Sequence, residues 1–299
     1  MLRSKNIVLS LLTVFALVIA LSGCEKEVHI NIASSASQVV VQGAVETGAP
    51  PYVFLSSTIG FFSKMDLNTL ENSFLHGAVI TVSDGTNTIT LKEYTFDTGG
   101  TSKFYVYSVD PASGTMVGEV GKYYTLNVIY NGKTYTSVTK IPAPKGIDSI
   151  WVDVPLYVSA KTPDSAKQLF VNYTDPDTPG NYVRYYTQRN GGLFYPSDQF
   201  NDQVVNGKPI TDIPLYAGYE HTQDVNNDSM MYFYPGDTLT LKWSEIDKNV
   251  YNFWNSYAYA LNALGNPFAS PINLQTNITN GGLGVWGGYG SLTYTLIVH

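Results

Sequence analysis

Gly282-Leu283-Gly284-Val285-Trp286-Gly287 spells the G-x-G-x-x-G turn that lets a backbone approach a pyrophosphate at a helix N-terminus. That chemistry needs a strand before the turn, a helix after it and an acid ~20 residues further on. No Asp or Glu follows the motif, so the glycines are read as permitting a tight approach to the last strand. Asp224-Val225-Asn226-Asn227-Asp228 opens like a calcium loop, but Ser229 stands where that loop needs glycine and Pro235 where it needs a bidentate glutamate. A polar surface loop explains it better. Asp175-Pro176-Asp177 pairs two carboxylates, the arrangement of acid–base catalysis, yet aspartates beside prolines and Gly180 are ordinary turn residues. A Ser-His-Asp triad would have to use His76 or His221, and neither a Gly-x-Ser-x-Gly nor a His-Glu-x-x-His motif is present. The best candidates for chemistry are aromatic. Tyr182, Tyr185, Tyr186, Phe194 and Tyr195 crowd together with Arg184 and Arg189, and Tyr216, Tyr219, Tyr232, Phe233 and Tyr234 follow. Tyr and Arg suit binding surfaces, although sheet tyrosines also simply pack on their neighbours. Tyr182, Tyr185, Tyr195, Tyr216 and Tyr219 are the expected contact residues, acting by binding without catalysis.

One further residue carries covalent chemistry. Arg3 and Lys5 precede an apolar run from Ile7 to Leu21, and Leu21-Ser22-Gly23-Cys24 closes it. A positive start, a short apolar run and small residues make a secretory signal, and the run is shorter than the ~20 apolar residues a spanning helix needs. The closing tetrad resembles the lipobox of bacterial lipoproteins, in which the cysteine thiol takes a diacylglycerol and the preceding peptide is cut. Cys24 is the only cysteine, so the chain holds no internal disulfide, and acylation would account for the odd thiol. Residues 1–23 are therefore expected to be removed and 24–37 to act as a lipidated tether.

Loss of Arg3 and Lys5 would leave 15 basic against 24 acidic residues, a charge of −9. Phosphate neutralisation needs the opposite balance, which excludes nucleic-acid binding. No cofactor or metal is expected beyond the lipid on Cys24. With 23 Tyr, 13 Phe, 26 Gly and only 14% charged residues, the composition favours pleated sheets punctuated by turns.

The elements that must position these residues follow from periodicity. Tyr124, Leu126, Val128 and Tyr130 alternate with Tyr123, Thr125, Asn127 and Ile129, then Asn131-Gly132 supplies the two positive φ values of a type I′ hairpin. Asp84-Gly85 signals a second hairpin. Pro142-Ala143-Pro144-Lys145-Gly146 cannot continue a strand ladder, so the chain divides into an N-terminal sandwich over 38–143 and a C-terminal β-rich domain over 147–299. From Ser244, apolar residues at Ile246, Val250, Phe253, Trp254, Tyr257 and Leu261 keep helical spacing. They predict one amphipathic helix near 244–263, capped by Ser244 and ended by Gly265. Residues 191–236 read as long and irregular, the kind of segment that is usually functional.

Taken in order, several stretches resemble a family of Bacteroidota outer-membrane lipoproteins, the domain of unknown function 4249. They are the lipobox, Val39-Val40-Val41-Gln42-Gly43, Gly77-Ala78-Val79-Ile80-Thr81-Val82, Tyr123-Tyr124-Thr125-Leu126 and Thr139-Lys140-Ile141-Pro142 before Ile147-Asp148-Ser149-Ile150. Tyr173-Thr174-Asp175-Pro176, Asn181-Tyr182-Val183-Arg184, Pro267-Phe268 with Pro271, and Asn277-Ile278 before Gly281-Gly282-Leu283-Gly284 complete the series. The resemblance implies an all-β protein with an immunoglobulin- or transthyretin-like N-terminal sandwich and no catalytic residue. It also implies a companion of a TonB-dependent outer-membrane receptor, anchored in the outer membrane by its lipid. Glu25-Lys26-Glu27 only loosely matches the acidic surface-export signal, which leaves open which face of the membrane it occupies. The expected function is therefore a non-enzymatic, membrane-anchored binding or accessory protein. The rivals are a stand-alone glycan- or peptide-capture lipoprotein and an unrecognised hydrolase.

Overall fold

The computed structural model describes residues 37–59, 66–97, 102–218, 228–263 and 273–299. Cys24 with its leader, nearly all of the tether, Tyr219, His221 and the start of the calcium-like loop lie outside the described residues.

Alternating apolar residues build a mostly β protein. In chain order the strands are β1 (Val39–Glu46), β2 (Tyr52–Ser57), β3 (Val79–Ser83), β4 (Thr88–Asp97), β5 (Lys103–Val109), β6 (Tyr123–Tyr130), β7 (Lys133–Lys140), β8 (Ser149–Asp153), β9 (Gln168–Thr174), β10 (Tyr182–Arg189), β11 (Tyr195–Asn201), β12 (Pro209–Leu215), β13 (Thr238–Ile246) and β14 (Leu283–Ile297). Among the described residues two α-helices join them, α1 (Leu67–Glu71) and the 16-residue α2 (Lys248–Ala263). Eleven strands form one mixed sheet in the order β11-β10-β13-β14-β1-β2-β5-β4-β3-β6-β7, and β12-β9-β8 form a second. The Asn131-Gly132 turn has φ of 48° and 73°, with Tyr130 paired to Lys133, as the type I′ reading requires.

Three apolar clusters fill the fold. The first is enclosed by β1–β7 and receives Trp286 of β14, whose indole N–H donates to the Tyr124 carbonyl at 2.9 Å. The second lies between β8, β9 and β12 on one side and β10 and β13 on the other. The third packs α2 against the opposite face of the large sheet, through Val250, Phe253, Ile246 and Val285. β14 contributes to all three, with Trp286 in the first, Tyr294 and Leu296 against the second, and Val285 and Tyr289 in the third.

Pro142–Gly146 runs outside any strand, but the break in strand order is not a break in the sheet. β14 returns to pair with β1 in parallel, Val40 opposite Leu283, and residues 37–299 form one compact unit. The glycines near the chain's end serve this closure. They lie inside β14, where Gly288 N–H donates to Thr139 Oγ1 at 2.8 Å and a Cβ would sit 2.2 Å from the Lys140 carbonyl oxygen. A Cβ on Gly290 would sit 2.0 Å from the carbonyl of Pro142. The end of β7 thus lies directly on β14.

The helix starts later than its apolar spacing predicts. Ser244 belongs to β13, paired to β10 and β14, and its hydroxyl meets Ser291 at 2.8 Å. Asp247 caps α2 instead, Oδ1 accepting from the N–H of Asn249 at 2.8 Å and of Val250 at 3.0 Å. The segment 191–236 is also more regular than expected. It holds β11, with Pro196 on an edge strand, and β12, whose pairing to β9 is interrupted by a bulge.

Candidate functional site

The period of two along β10 divides its side chains between two environments. Val183, Tyr185 and Thr187 are buried, the first two in the second core, while Tyr182 and Tyr186 pack with the α2 cluster. Arg184 shares the parity of Tyr182 and Tyr186. β10 pairs β11 with Arg184 opposite Gln199 and Tyr186 opposite Pro196, so β11 carries one extra residue here, a bulge of the kind that re-aims side chains at a sheet edge.

Above this face α2 presents Trp254, held by its indole N–H donating to Tyr289 Oη at 2.9 Å. The guanidinium carbon of Arg184 lies 3.6 Å from the centre of the Trp254 ring and 5.4 Å from that of Tyr186. Arg184 is only 6% exposed, and its Nε and Nη1 have no hydrogen-bond partner among the described residues. No described acid forms an ion pair with it. Its neighbours are paired. Lys242 reaches Glu46 at 3.0 Å, and Arg189 reaches Asp237 at 3.2 Å and donates to the Tyr232 carbonyl. Burial pushes the phenols of Tyr186 and Tyr289 up, so neither supplies the missing negative charge.

An uncompensated buried ion costs several kcal/mol. A desolvated guanidinium on an indole recovers about 2 kcal/mol, which does not close the gap. The unpartnered Nε and Nη1 are themselves buried, but Arg184 borders two open spaces. Arg184 lines a groove of about 790 Å³ together with Phe253, Trp254, Tyr257 and Leu261 of α2 and Gln199 of β11. It also lines an adjoining recess of about 150 Å³ beneath Tyr52 and Tyr289. A planar fork of donors on an aromatic wall is arranged to receive a carboxylate or similar oxyanion.

The tyrosines expected to form one contact surface are dispersed. Tyr182 is half-buried with its ring 4.9 Å from Tyr251 on the α2 face. Tyr185 is a core residue, 2% exposed, stacked on Phe200; its hydroxyl donates to the Tyr216 carbonyl and accepts from Ser197 Oγ and Tyr216 N–H. That ring has no surface to offer a partner. Tyr195 is half-buried at the start of β11, opposite Thr187. Tyr216 is half-buried and leans on Tyr232, 6.4 Å away. The structure joins Tyr185 to Tyr216 and sends Tyr182 to the other side of the sheet.

The remaining motifs resolve as architecture. Asp175 is 5% exposed and accepts from Gly207 N–H at 3.2 Å, tying the end of β9 to the residues that lead into β12. His76 Nδ1 lies 2.5 Å from Glu93 Oε1, and no serine hydroxyl is hydrogen-bonded to it among the described residues. Among those residues no group of three or more His, Cys, Asp or Glu is placed to hold a metal ion, and no helix is long and apolar enough to cross a membrane. Glu245 is another buried ionisable residue, as are Asp175 and Asp202. It is 4% exposed, accepts from Tyr173 Oη at 3.0 Å, and burial pushes its carboxyl up to about 7.

The chain matches the family described as domain of unknown function, DUF4249, over residues 25–295, and it belongs to that family. No curated protein matches it in sequence.

Sequence reasoning counted Arg184 among the aromatic crowd and did not single it out. Its signal was the Tyr-x-Arg-x-Tyr run of 182–186, which puts a cation between two rings on one sheet face.

Proposed function

We propose that this protein is a lipid-anchored, non-enzymatic binding protein that works beside a TonB-dependent outer-membrane receptor, and that the Arg184 groove holds an anionic group of what it binds. The observation that carries the binding site is the buried guanidinium with no counter-ion among the described residues, bordering an aromatic groove. The Cys24 lipobox supports the anchor, and the resemblance to Bacteroidota lipoproteins supports the outer-membrane location and the receptor. The wrapping of β1–β7 around one core supports an immunoglobulin- or transthyretin-like N-terminal sandwich within the larger sheet.

Titration calorimetry of the lipidated protein in detergent tests the site. The expected result is saturable binding of 3-phenylpropionate, lost for its neutral amide and lost in Arg184→Met. Equal binding of acid and amide overturns the anion site. Purification from native membranes tests the partner: a receptor is expected in stoichiometric amount, and its absence removes that part of the reading.

A further inference from the structure

The groove offers more than one charge. Of the described side chains that line it only two are ionic, and they are opposite in sign: Arg184, which is buried, and Asp198, exposed on edge strand β11. Asp198 is the residue next to Gln199, the cross-strand partner of Arg184, so the two lie close along the ladder. Even so, no ion pair joins them. Asp198 Oδ1 instead accepts from the Gln199 N–H at 2.8 Å. Between and around these charges the lining is mixed. Trp254, Tyr257, Leu261 and Leu283 give apolar wall, while Gln42, Ser197 and Asn262 give neutral donors and acceptors.

Resting on the reading that the groove binds an anion, we infer that its ligand is a zwitterion: a short peptide with apolar side chains, its free carboxylate on Arg184 and its free amine toward Asp198. The alternatives fit less well. A phosphate carries more charge than one arginine neutralises, and among the described residues no lysine lines the groove while Asp198 repels it. A simple fatty or aromatic acid satisfies Arg184 but brings its charge beside Asp198 with nothing to offset that acid. A peptide answers both charges, and its amide groups find the neutral polar lining. The groove's size is also in the range that encloses most of a small ligand.

The experiment titrates the full lipidated chain in detergent with leucyl-glycyl-phenylalanine, its C-terminal amide, its N-acetyl form, 3-phenylpropionate and inorganic phosphate. The free tripeptide is expected to bind tightest. Amidation is expected to weaken it about tenfold or more, and acetylation about threefold to tenfold, the scale of one charge-assisted contact each. Asp198→Asn, an exposed and fold-neutral change, is expected to erase the difference between free and acetylated peptide while leaving the effect of amidation. If 3-phenylpropionate binds as tightly as the tripeptide, or acetylation has no effect, the zwitterion inference is overturned and the anion site stands. Tighter binding by phosphate has the same consequence. If no probe binds, or binding survives Arg184→Met in a protein whose circular dichroism is unchanged, both readings are overturned.

Discussion

Along the β10–β13 ladder Arg184 stands opposite Ser244 and Val183 opposite Glu245, so a guanidinium and a carboxylate leave the same pair of strands on opposite faces. Both are buried, at 6% and 4% exposure. On the second-core side Glu245 is covered by the β12-β9-β8 sheet and hydrogen-bonded by Tyr173, with Asp175 and Asp202 adding like charge nearby. A carboxyl in that position has an exit, since it can take up a proton and become neutral. A guanidinium has none, because arginine does not deprotonate in proteins. Burial on one face can therefore be relieved by a proton, whereas on the other no described residue supplies a counter-charge. This difference separates a titrating core from the site proposed above, although exposure alone makes the two residues look alike.

The largest effect that sharpens this contrast is expected from two tryptophans. Trp243 is 1% exposed and stacks among Tyr185 and Phe200, so Trp243→Ala should cost about 3–5 kcal/mol in urea unfolding. Trp254, half-buried over Arg184, should cost clearly less as Trp254→Ala yet abolish binding of an aromatic carboxylate. Equal stability losses would mean that the α2 face is as closed as the other.

Next in size is the titration of Glu245. Its folded value of about 7 lies above the ordinary 4.5, so the native state holds the proton more tightly than the unfolded chain. Stability should be greatest below the unfolded value, decline as pH rises toward 7, and level off above, a loss on the order of 3 kcal/mol. Asp175 is also pushed up by burial and acts in the same direction. Glu245→Gln should flatten most of this slope in melts between pH 5 and 8; an unchanged slope would assign it elsewhere.

Arg184→Met should behave in the opposite sense to most core substitutions. An apolar side chain of similar length removes a buried, uncompensated charge, and such exchanges are often neutral or stabilising by about 1–2 kcal/mol. Denaturant midpoints check this, and a loss of more than about 2 kcal/mol would show that the guanidinium is satisfied within the fold. The smallest effect is expected at the helix start. Asp247→Ala removes the α2 cap and the contact to Thr139, costing about 1 kcal/mol and loosening Trp254, visible as weaker ligand binding with little change in the melt.

Much of this arrangement was legible in the residues, and the reason is local. The Tyr123–Lys140 hairpin announces itself because its alternation and its Asn-Gly turn agree. Strand parity along 182–186 already separates Tyr185 from Tyr182 and Tyr186; grouping the rings by sequence proximity overlooked it. β11 and β12 were hidden because Pro196, Pro209 and Pro214 and their polar neighbours look like loop, and only edge position and bulges make them strands. What no local pattern reveals is α2 lying over β10. The partnership of Arg184 and Trp254 joins residues far apart in sequence, and it depends on a helix start that moved from Ser244 to Asp247 once β13 claimed the intervening residues.

The place of β14 has a consequence for how the molecule comes into being. It supplies side chains to all three clusters and joins β13 to β1, pairing Val40 with Leu283 across nearly the whole described chain. Loop-closure entropy makes such distant parallel pairing slow. Until that strand arrives, β1 and β13 present unpaired edges and the first core lacks Trp286. A chain that emerges N-terminus first therefore leaves those edges open until its last strand has been made. The same strand brings Leu283 to the groove and gives Trp254 its hydrogen-bond partner Tyr289.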